Sequence, residues 1–352
     1  MNDKRFLRIP TIFAAASAAG HDVAVVTAKD KLRRLLGAGL VEDGPDLPGH
    51  GTSPARPGIC FSAEHADRAT VADNGIGDVL ELVNRPLPDV YSADLSEFVL
   101  AAGARILADR RPDLLYLSLT DYIQHKHAPG TPVANDFYAM LDRWAGELDA
   151  LGAVVAITAD HGMSAKTDDS GAPQVIYLEE EARRLPGGAD AQVILPITDP
   201  YTVHHGALGS FASVHLGDQA SADGVAAALA ALPGVQAVHL REQAADRYGL
   251  PADRIGDVVV LAEKGHALGR SREWHDLGQL DAPLRSHGAL GEVRIPFLIN
   301  RRLDPPPPLD DAVSAMPYPD GADWSALLHN YDAFWVATTG VSAGSAAGVR
   351  DA

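Results

Sequence analysis

The fold of this chain is constrained most strongly by a short apolar run. Two residues of types that bind metal ions follow it. Residues 114–119 are rich in apolar side chains and are bounded by Pro112 and Thr120. A run of this length and composition predicts a buried parallel strand. Asp121 and His125 follow it, four positions apart. If a helix begins there, the carboxylate and the imidazole lie on one helical face beside the carboxyl end of the strand, where they can bind one metal ion.

Apolar strands and amphipathic helices alternate along much of the chain. Strands are predicted at residues 22–27, 59–62, 153–158 and 295–300, and helices at residues 11–19, 94–109 and 135–151. This alternation predicts an α/β fold in which a layered sheet carries helices on both faces.

The pattern of predicted strands and helices changes between residues 190 and 281. Strands are predicted there at 193–197, 212–216, 235–240 and 258–262, and helices at 221–232 and 241–248. We therefore expect a small inserted α+β domain that caps a core domain at residues 1–189. Residues 282–352 are expected to return to the core and to end in a flexible tail after a proline-rich segment at 305–308. Residues 41–57, rich in Gly, Pro and Asp, predict a surface loop.

Composition and charge exclude several classes of partner. The 352 residues include 47 acidic and 29 basic side chains, which gives a formal charge of −18. Such a charge opposes non-specific attraction to nucleic acid or to anionic membranes. The sequence also has no apolar stretch long enough to span a bilayer, and its one cysteine, Cys60, excludes an intrachain disulfide. We expect a soluble cytoplasmic protein in which Cys60 is a buried small hydrophobe.

A small anionic ligand would need a local positive patch, and residues 28–34 form the densest one in the chain. Lys29 and Lys31 follow the predicted strand at 22–27 directly, at the end where α/β sheets bind ligands. Asp30 is expected to cap the helix that begins there. The alternative interpretation is a solvated helix face, which is the usual meaning of a run of charges.

Two further segments place metal ligands beside apolar strands. Asp160 and His161 follow the strand at 153–158, and His287 precedes the strand at 295–300. Together with Asp121 and His125 they make three imidazoles and two carboxylates, a donor set that suits Zn²⁺ or a similar divalent ion. Each motif is weak alone, whereas the three in this order are a strong signal.

The metal-binding motifs resemble those of a known superfamily. The segments T-D-Y-I-Q-H (120–125), A-D-H-G-M (159–163) and R-S-H-G (285–288) are similar to motifs of the alkaline phosphatase superfamily, on its nucleotide pyrophosphatase/phosphodiesterase branch. Further segments at 25–36, 58–64, 89–99, 194–201 and 203–211 resemble phosphonoacetate hydrolases. The resemblance extends from about residue 6 to about residue 300.

The resemblance implies an alkaline phosphatase-like fold and a reaction. The reaction is hydrolysis of the carbon–phosphorus bond of phosphonoacetate, a small-molecule phosphonate, on a site with two Zn²⁺ ions. Asp121, His125 and His287 would hold one zinc ion, and Asp160 with His161 would contribute to the other. Lys29 and Lys31 would meet the substrate carboxylate, which a phosphodiester lacks. The oligomeric state stays open, a homodimer included.

The chain departs from the family pattern in one respect. Family members carry an upstream segment with a further Asp ligand and the Thr nucleophile, and no residue here matches either one. The helix at 11–19 and the strand at 22–27 form half of a βαβ unit, so the chain is expected to begin inside the first domain. Thr27, Thr120 and Thr158 lie near strand ends, where threonine ordinarily packs or bonds a turn. We therefore expect little or no turnover from the polypeptide as printed.

Several alternatives remain at this stage. The protein can instead be an alkaline phosphatase-like phosphodiesterase, or an inactive homologue that binds a metal ion or an anion. The adjacent residues His204 and His205 lie in a Gly-flanked loop, where a structural role is more common than metal binding. His127 is the less favoured neighbour of His125, because Asp121 lies one helical turn before His125.

Overall fold

Backbone placement in a computed structural model follows the apolar pattern of the sequence. The structure describes residues 3–41, 58–186, 188–197, 207–218, 220–301 and 329–338. The chain divides into two units, residues 1–155 and 156–352. The predicted loop at 41–57 lies outside the described residues except for Val41, and so do the proline-rich segment at 305–308 and the residues from 339 onward.

The first unit is built on a parallel sheet of three strands, namely β1 (Val23–Thr27), β2 (Ile59–Ser62) and β3 (Leu114–Ser118). The strand order is β2-β1-β3, so β1 is central, and every residue of β1 is buried. A central parallel strand has neighbours on both edges and helices on its faces, which explains its uninterrupted apolar sequence. The α/β class expected from the sequence is confirmed.

Helices of the first unit are α1 (Ile12–Ala18), α2 (Asp30–Leu36), α3 (Val71–Asn74), α4 (Val79–Val83), α5 (Ala93–Arg110), α6 (Tyr122–Lys126) and α7 (Pro132–Ala150). Helix α5 buries Phe98, Val99 and Ile106 against the sheet. A side chain at Gly103 would come within 2.6 Å of the Leu117 side chain, so a glycine lets α5 approach β3 closely.

Two details of the first unit correct the sequence interpretation. Strand β3 is half-buried along its whole length, not fully buried as predicted. Lys29 occupies the N-cap position of α2 without a side-chain capping hydrogen bond, while Asp30 is the first helical residue and is itself buried. The Asp30 carboxylate accepts hydrogen bonds from the guanidinium groups of Arg33 and Arg34, which follow it in the same helix.

The second unit contains short strands and helices. The strands are β4 (Ala156–Thr158), β5 (Ser164–Ala165), β6 (Val175–Tyr177), β7 (Gln192–Ile194), β8 (Phe211–His215), β9 (Val235–Leu240), β10 (Val258–Ala262), β11 (Ala267–Gly269), β12 (Arg285–Ser286) and β13 (Phe297–Ile299). The helices are α8 (Leu178–Arg183), α9 (Ala222–Ala230), α10 (Arg241–Tyr248) and α11 (Asp332–Thr338).

Four strands of this unit form an antiparallel sheet in the order β7-β8-β10-β9. Strand β10 is buried throughout, and α9 packs Val225 and Leu229 into the same core. These are the strands and helices predicted between residues 190 and 281. The domain boundaries at 189 and 281 stay a prediction.

The remaining strands of the unit pair two by two. Strand β6 runs parallel to β11, whereas β5 with β12 and β4 with β13 are antiparallel. The predicted strands at 153–158 and 295–300 form over three residues each and are less buried than core strands. Strand β4 is three residues long and half-buried, and Leu298 of β13 is 58% exposed. An apolar run without alternation marks a strand but does not reveal which of its side chains meet solvent.

Among the helices of the described ranges, none combines the length and the apolar character needed to cross a membrane.

Candidate metal centre and substrate-binding residues

The pair Asp121 and His125 forms as the helical spacing predicts. Asp121 is the residue before α6, and its carbonyl accepts a hydrogen bond from the backbone N–H of His125 at 3.0 Å. Its carboxylate does not cap the helix but lies against the imidazole, with 3.1 Å between Asp121 Oδ2 and His125 Nε2. Helix α6 is held in place by Ile123, which is buried in a cluster with Phe137 and Met140. The two potential ligands are thus fixed on one turn of an anchored helix.

The lysine pair lies at the same edge of the parallel sheet. Thr27 is paired with Ser118 at the carboxyl ends of β1 and β3, and the Ala28 N–H donates to the Ser118 carbonyl at 2.8 Å. Lys29 therefore follows β1 where Asp121 follows β3, since parallel strands end at a common edge. A positive group and two metal-ligand types emerge at one rim of one sheet.

Two tyrosines connect these side chains. The Lys29 ammonium lies 4.7 Å from the centroid of the Tyr91 ring, in cation–π contact. The Tyr91 ring in turn lies 5.8 Å from that of Tyr122, the first residue of α6. Neither tyrosine has a role in the sequence interpretation, although Tyr91 lies in the segment 89–99 and Tyr122 in the segment T-D-Y-I-Q-H of the resemblance.

The positive cluster is organised around a buried acid. Asp30 Oδ1 and Oδ2 accept from Arg33 Nε at 2.8 Å and Arg34 Nε at 2.9 Å, and its backbone N–H donates to Glu64 Oε2 at 2.8 Å. Burial raises the pKa of the Asp30 carboxyl, but the hydrogen bonds and charges of the two arginines outweigh it and hold that pKa below its ordinary value. Lys31 is half-buried on the first turn of this helix. The cluster is therefore not simply a solvated face.

In the second unit, His161 and His287 lie face to face. Their ring centroids are 3.4 Å apart and their planes differ by 4°. His161 Nε2 lies 3.5 Å from Asp160 Oδ1, and the Asp160 side chain is 84% exposed. His161 Nδ1 lies 3.0 Å from the Gly162 carbonyl oxygen. In-plane ring nitrogens point away from a stacked neighbour, so this arrangement leaves the ligand direction of each imidazole clear of the other ring.

The backbone around His287 is tightly held. Its carbonyl accepts from the Ser210 N–H at 2.8 Å. Gly288 follows with φ of +109°, and a side chain there would come within 3.1 Å of the backbone nitrogens of Ser210 and Phe211. Only glycine adopts this conformation without strain, which gives the R-S-H-G motif a structural reason for its final residue.

The donor sets fit a divalent metal. Unit one brings together a carboxylate and an imidazole, and unit two brings together two imidazoles with a neighbouring carboxylate. Oxygen and imidazole nitrogen are the ligand types that Zn²⁺ and similar ions accept. The prediction that all five residues serve one site joins both units and stays a prediction.

Other residues singled out in the sequence have ordinary partners. Thr27 Oγ1 donates to the Lys29 carbonyl at 2.9 Å, and Thr158 Oγ1 donates to the Pro296 carbonyl at 3.1 Å. Thr120 contacts Ser96 through its backbone. Cys60 is fully buried, as expected of a small hydrophobe.

His204 and His205 lie outside the described residues, so their predicted loop role stays open.

Comparison with known proteins identifies the family. The family model for type I phosphodiesterase/nucleotide pyrophosphatase matches residues 4–290. The chain belongs to this phosphodiesterase/pyrophosphatase family. Its members are metal-dependent phosphoesterases.

Solved structures narrow the likeness within the phosphodiesterase/pyrophosphatase family. Phosphonoacetate hydrolase from Sinorhizobium meliloti 1021, in complex with phosphonoformate, is 49% identical with a TM-score of 0.85, and the match covers 97% of this chain and 76% of that one. The same enzyme in complex with phosphonoacetate gives 49% identity and a TM-score of 0.84 over the same shares. Murine ectonucleotide pyrophosphatase/phosphodiesterase 5 is 17% identical with a TM-score of 0.50, covering 97% of this chain and 78% of that one. At that identity the likeness concerns the fold alone.

Proposed function

We propose that this chain is a phosphonoacetate hydrolase-type enzyme. In the reaction the carbon–phosphorus bond breaks, the phosphorus gains an oxygen from water, and the carbon takes up a proton, so that acetate and phosphate are released. The observation that carries the proposal is that Lys29 follows β1 and the Asp121–His125 pair follows β3 at the same edge of the parallel sheet. The 49% identity to a protein solved with phosphonoacetate supports it.

The proposed ligands for one Zn²⁺ ion are Asp121, His125 and His287, and Asp160 with His161 would contribute to a second. Two such ions, when bound, offset the negative charge of the phosphonyl oxygens as the bond breaks. The assignment rests on the resemblance of the motifs and on the donor chemistry of these side chains. The identity of the metal is part of the proposal.

Lys29 and Lys31 are proposed to select the substrate. Phosphonoacetate carries an anionic group at each end, and an ammonium group at the sheet edge attracts the carboxylate end. Tyr91 holds the Lys29 ammonium by its ring face, which limits the positions this long side chain adopts. The overall charge of −18 makes such a local patch necessary for an anionic ligand.

We further propose that turnover by the printed polypeptide is low. No residue of this sequence matches the family's Thr nucleophile, and groups that act together in catalysis typically each account for orders of magnitude in rate. Phosphate release from phosphonoacetate, measured with added Zn²⁺, tests this point. A rate near that of the family's active members would contradict the proposed impairment while supporting the reaction.

Binding tests the substrate separately from turnover. Calorimetric titration of the Zn²⁺-loaded chain with phosphonoacetate should give a clear isotherm, and methylphosphonate, which lacks the carboxylate, should bind much more weakly. The double variant Lys29→Ala/Lys31→Ala should lose the preference for phosphonoacetate over methylphosphonate. The control variant Lys4→Ala, which changes a lysine outside the positive cluster, should keep it. Equal affinity for both ligands in the unmodified chain would refute the proposed substrate.

A phosphodiesterase is the second candidate, because the matching family model describes type I phosphodiesterases. It predicts cleavage of bis(p-nitrophenyl) phosphate that tolerates loss of both lysines. An inactive metal-binding homologue predicts Zn²⁺ in the purified chain with neither substrate cleaved and no preference for phosphonoacetate.

A further inference from the structure

A buried ion pair joins the chain segments that follow the two stacked histidines. Lys166 is 0% exposed and Glu292 is 3% exposed. Lys166 Nζ donates to Glu292 Oε1 at 2.9 Å and to the Lys264 carbonyl at 2.8 Å. The two partners are 126 positions apart in the sequence, so the pair joins distant segments of the second unit.

Glu292 holds both segments with its side chain and its backbone. Its Oε1 also accepts from the Ser164 hydroxyl, and its Oε2 accepts from the Ala289 N–H at 2.6 Å. Its carbonyl accepts from the Gly162 N–H at 2.6 Å. A Cβ atom at Gly162 would lie 3.1 Å from that carbonyl oxygen, so glycine lets the two backbones approach without a shift.

These contacts lie close in sequence to the two potential metal ligands, His161 and His287. Gly162 and Ser164 follow His161 closely, and Ala289 with Glu292 follow His287 closely. The short β5–β12 ladder links the same segments, pairing Ser164 with Ser286. Lys166, Glu292 and their hydrogen bonds therefore tie together the two segments that carry the imidazoles.

Removing both charges from water costs free energy, so a buried ion pair adds little net stability to a fold. Desolvation lowers the pKa of Lys166, and the hydrogen bond and charge of Glu292 oppose that shift. Well-packed apolar side chains in place of a buried ion pair often leave stability equal or higher, whereas directional hydrogen bonds specify one arrangement. A role in fixing geometry accounts for the pair better than a role in stability alone.

We propose that Lys166 and Glu292 are positioning residues that fix His161 against His287. This role rests on the proposed metal-binding function of the two histidines. Neither residue contacts substrate in the proposal; each acts through the backbone that carries a ligand.

The test compares fold, ring geometry and metal affinity in the double variant Lys166→Met/Glu292→Gln. Methionine fills the lysine volume and glutamine keeps an acceptor for Ala289, so the variant should fold with a melting temperature within roughly 8 °C of the parent. With histidine-labelled, metal-free protein, the nuclear Overhauser contact between the two rings should be present in the parent and lost in the variant. Zn²⁺ affinity should fall by roughly 10–100-fold, as for other residues that orient metal ligands.

A matched control uses another buried acid of the same unit. Glu179 is 4% exposed and accepts from Arg270 Nε at 3.0 Å and from the Val193 N–H at 3.1 Å, partners that lie outside the two histidine segments. Glu179→Gln should lower stability and leave both the ring contact and Zn²⁺ affinity unchanged.

Three results would overturn the proposal. These are a ring contact and Zn²⁺ affinity retained in the folded double variant, equal losses in Glu179→Gln, or no ring contact in the parent. If the double variant does not fold, the single variant Glu292→Gln carries the same readouts. The ring contact is measured without metal or substrate, so failure of phosphonoacetate binding would leave this result independent.

Discussion

Asp121 and His125 lie four positions apart on one helical turn, whereas His161 and His287 are brought together by contacts between distant segments. The first pair depends on local backbone geometry, which the 3.6-residue period dictates. The second depends on a buried ion pair, a two-residue ladder and a glycine that permits close approach. Similar ligand chemistry can thus rest on local or on tertiary structure, and the two cases should respond differently to mutation.

The largest effect is expected at the tertiary pair. Lys166→Ala leaves the Glu292 carboxylate buried without its cation, which should lower the free energy of unfolding by about 3–5 kcal/mol. His125→Ala should change it little, because the side chain is 30% exposed and its removal leaves no buried charge without a partner. Urea denaturation of both variants measures the contrast. Equal destabilisation would remove the distinction between local and tertiary pairs.

The next effect concerns ligand binding at the sheet edge. Lys29→Ala should weaken phosphonoacetate binding by about 1.5–3 kcal/mol, the range for a hydrogen bond to a charged group. Binding of methylphosphonate should be unaffected, since it has no carboxylate. Titration calorimetry of the Zn²⁺-loaded chain gives both values. A similar loss for the two ligands would mean that Lys29 senses the phosphonyl group instead.

A smaller effect is expected from the aromatic contact. Tyr91→Leu removes the ring face under the Lys29 ammonium and should weaken phosphonoacetate binding by about 0.5–1 kcal/mol. Tyr91→Phe keeps the ring and should bind like the parent. The same titration separates them, and a defect in Tyr91→Phe would assign the role to the hydroxyl group.

The smallest effect is expected in the acid dependence of stability, which Asp30→Asn should change by removing the buried carboxyl of the positive cluster. The pKa of Asp30 is lower in the folded chain than ordinary values. Its contribution to stability is therefore complete above the ordinary carboxyl range and is lost as the pH falls through the folded pKa. The variant should lose less stability than the parent on acidification. If the free energy of unfolding of parent and variant changed with pH in the same way, Asp30 would have the same pKa in the folded and unfolded states, and the prediction would be wrong.

The local features were predictable from the sequence and the tertiary ones were not. Strand β1, the α6 turn and the common edge of Lys29 and Asp121 follow from apolar runs and helical spacing. Strands β5 and β12 are two residues long, too short for any periodicity to reveal. Lys166, followed by Thr and two Asp residues, resembles an ordinary solvated charge in the sequence. Its partner is distant, and no local pattern specifies a contact across 126 positions.

The β5–β12 ladder has a consequence for how this protein can vary. Ala165 is paired with Arg285, so the two ends of the segment 166–284 lie next to each other. Each doubling of the length of a flexible loop closed at a fixed point raises the free-energy cost of closure by only about 0.6 kcal/mol. Insertions in this segment should therefore be tolerated where they spare Lys166, Lys264 and Ser210, whose contacts hold the two histidine segments.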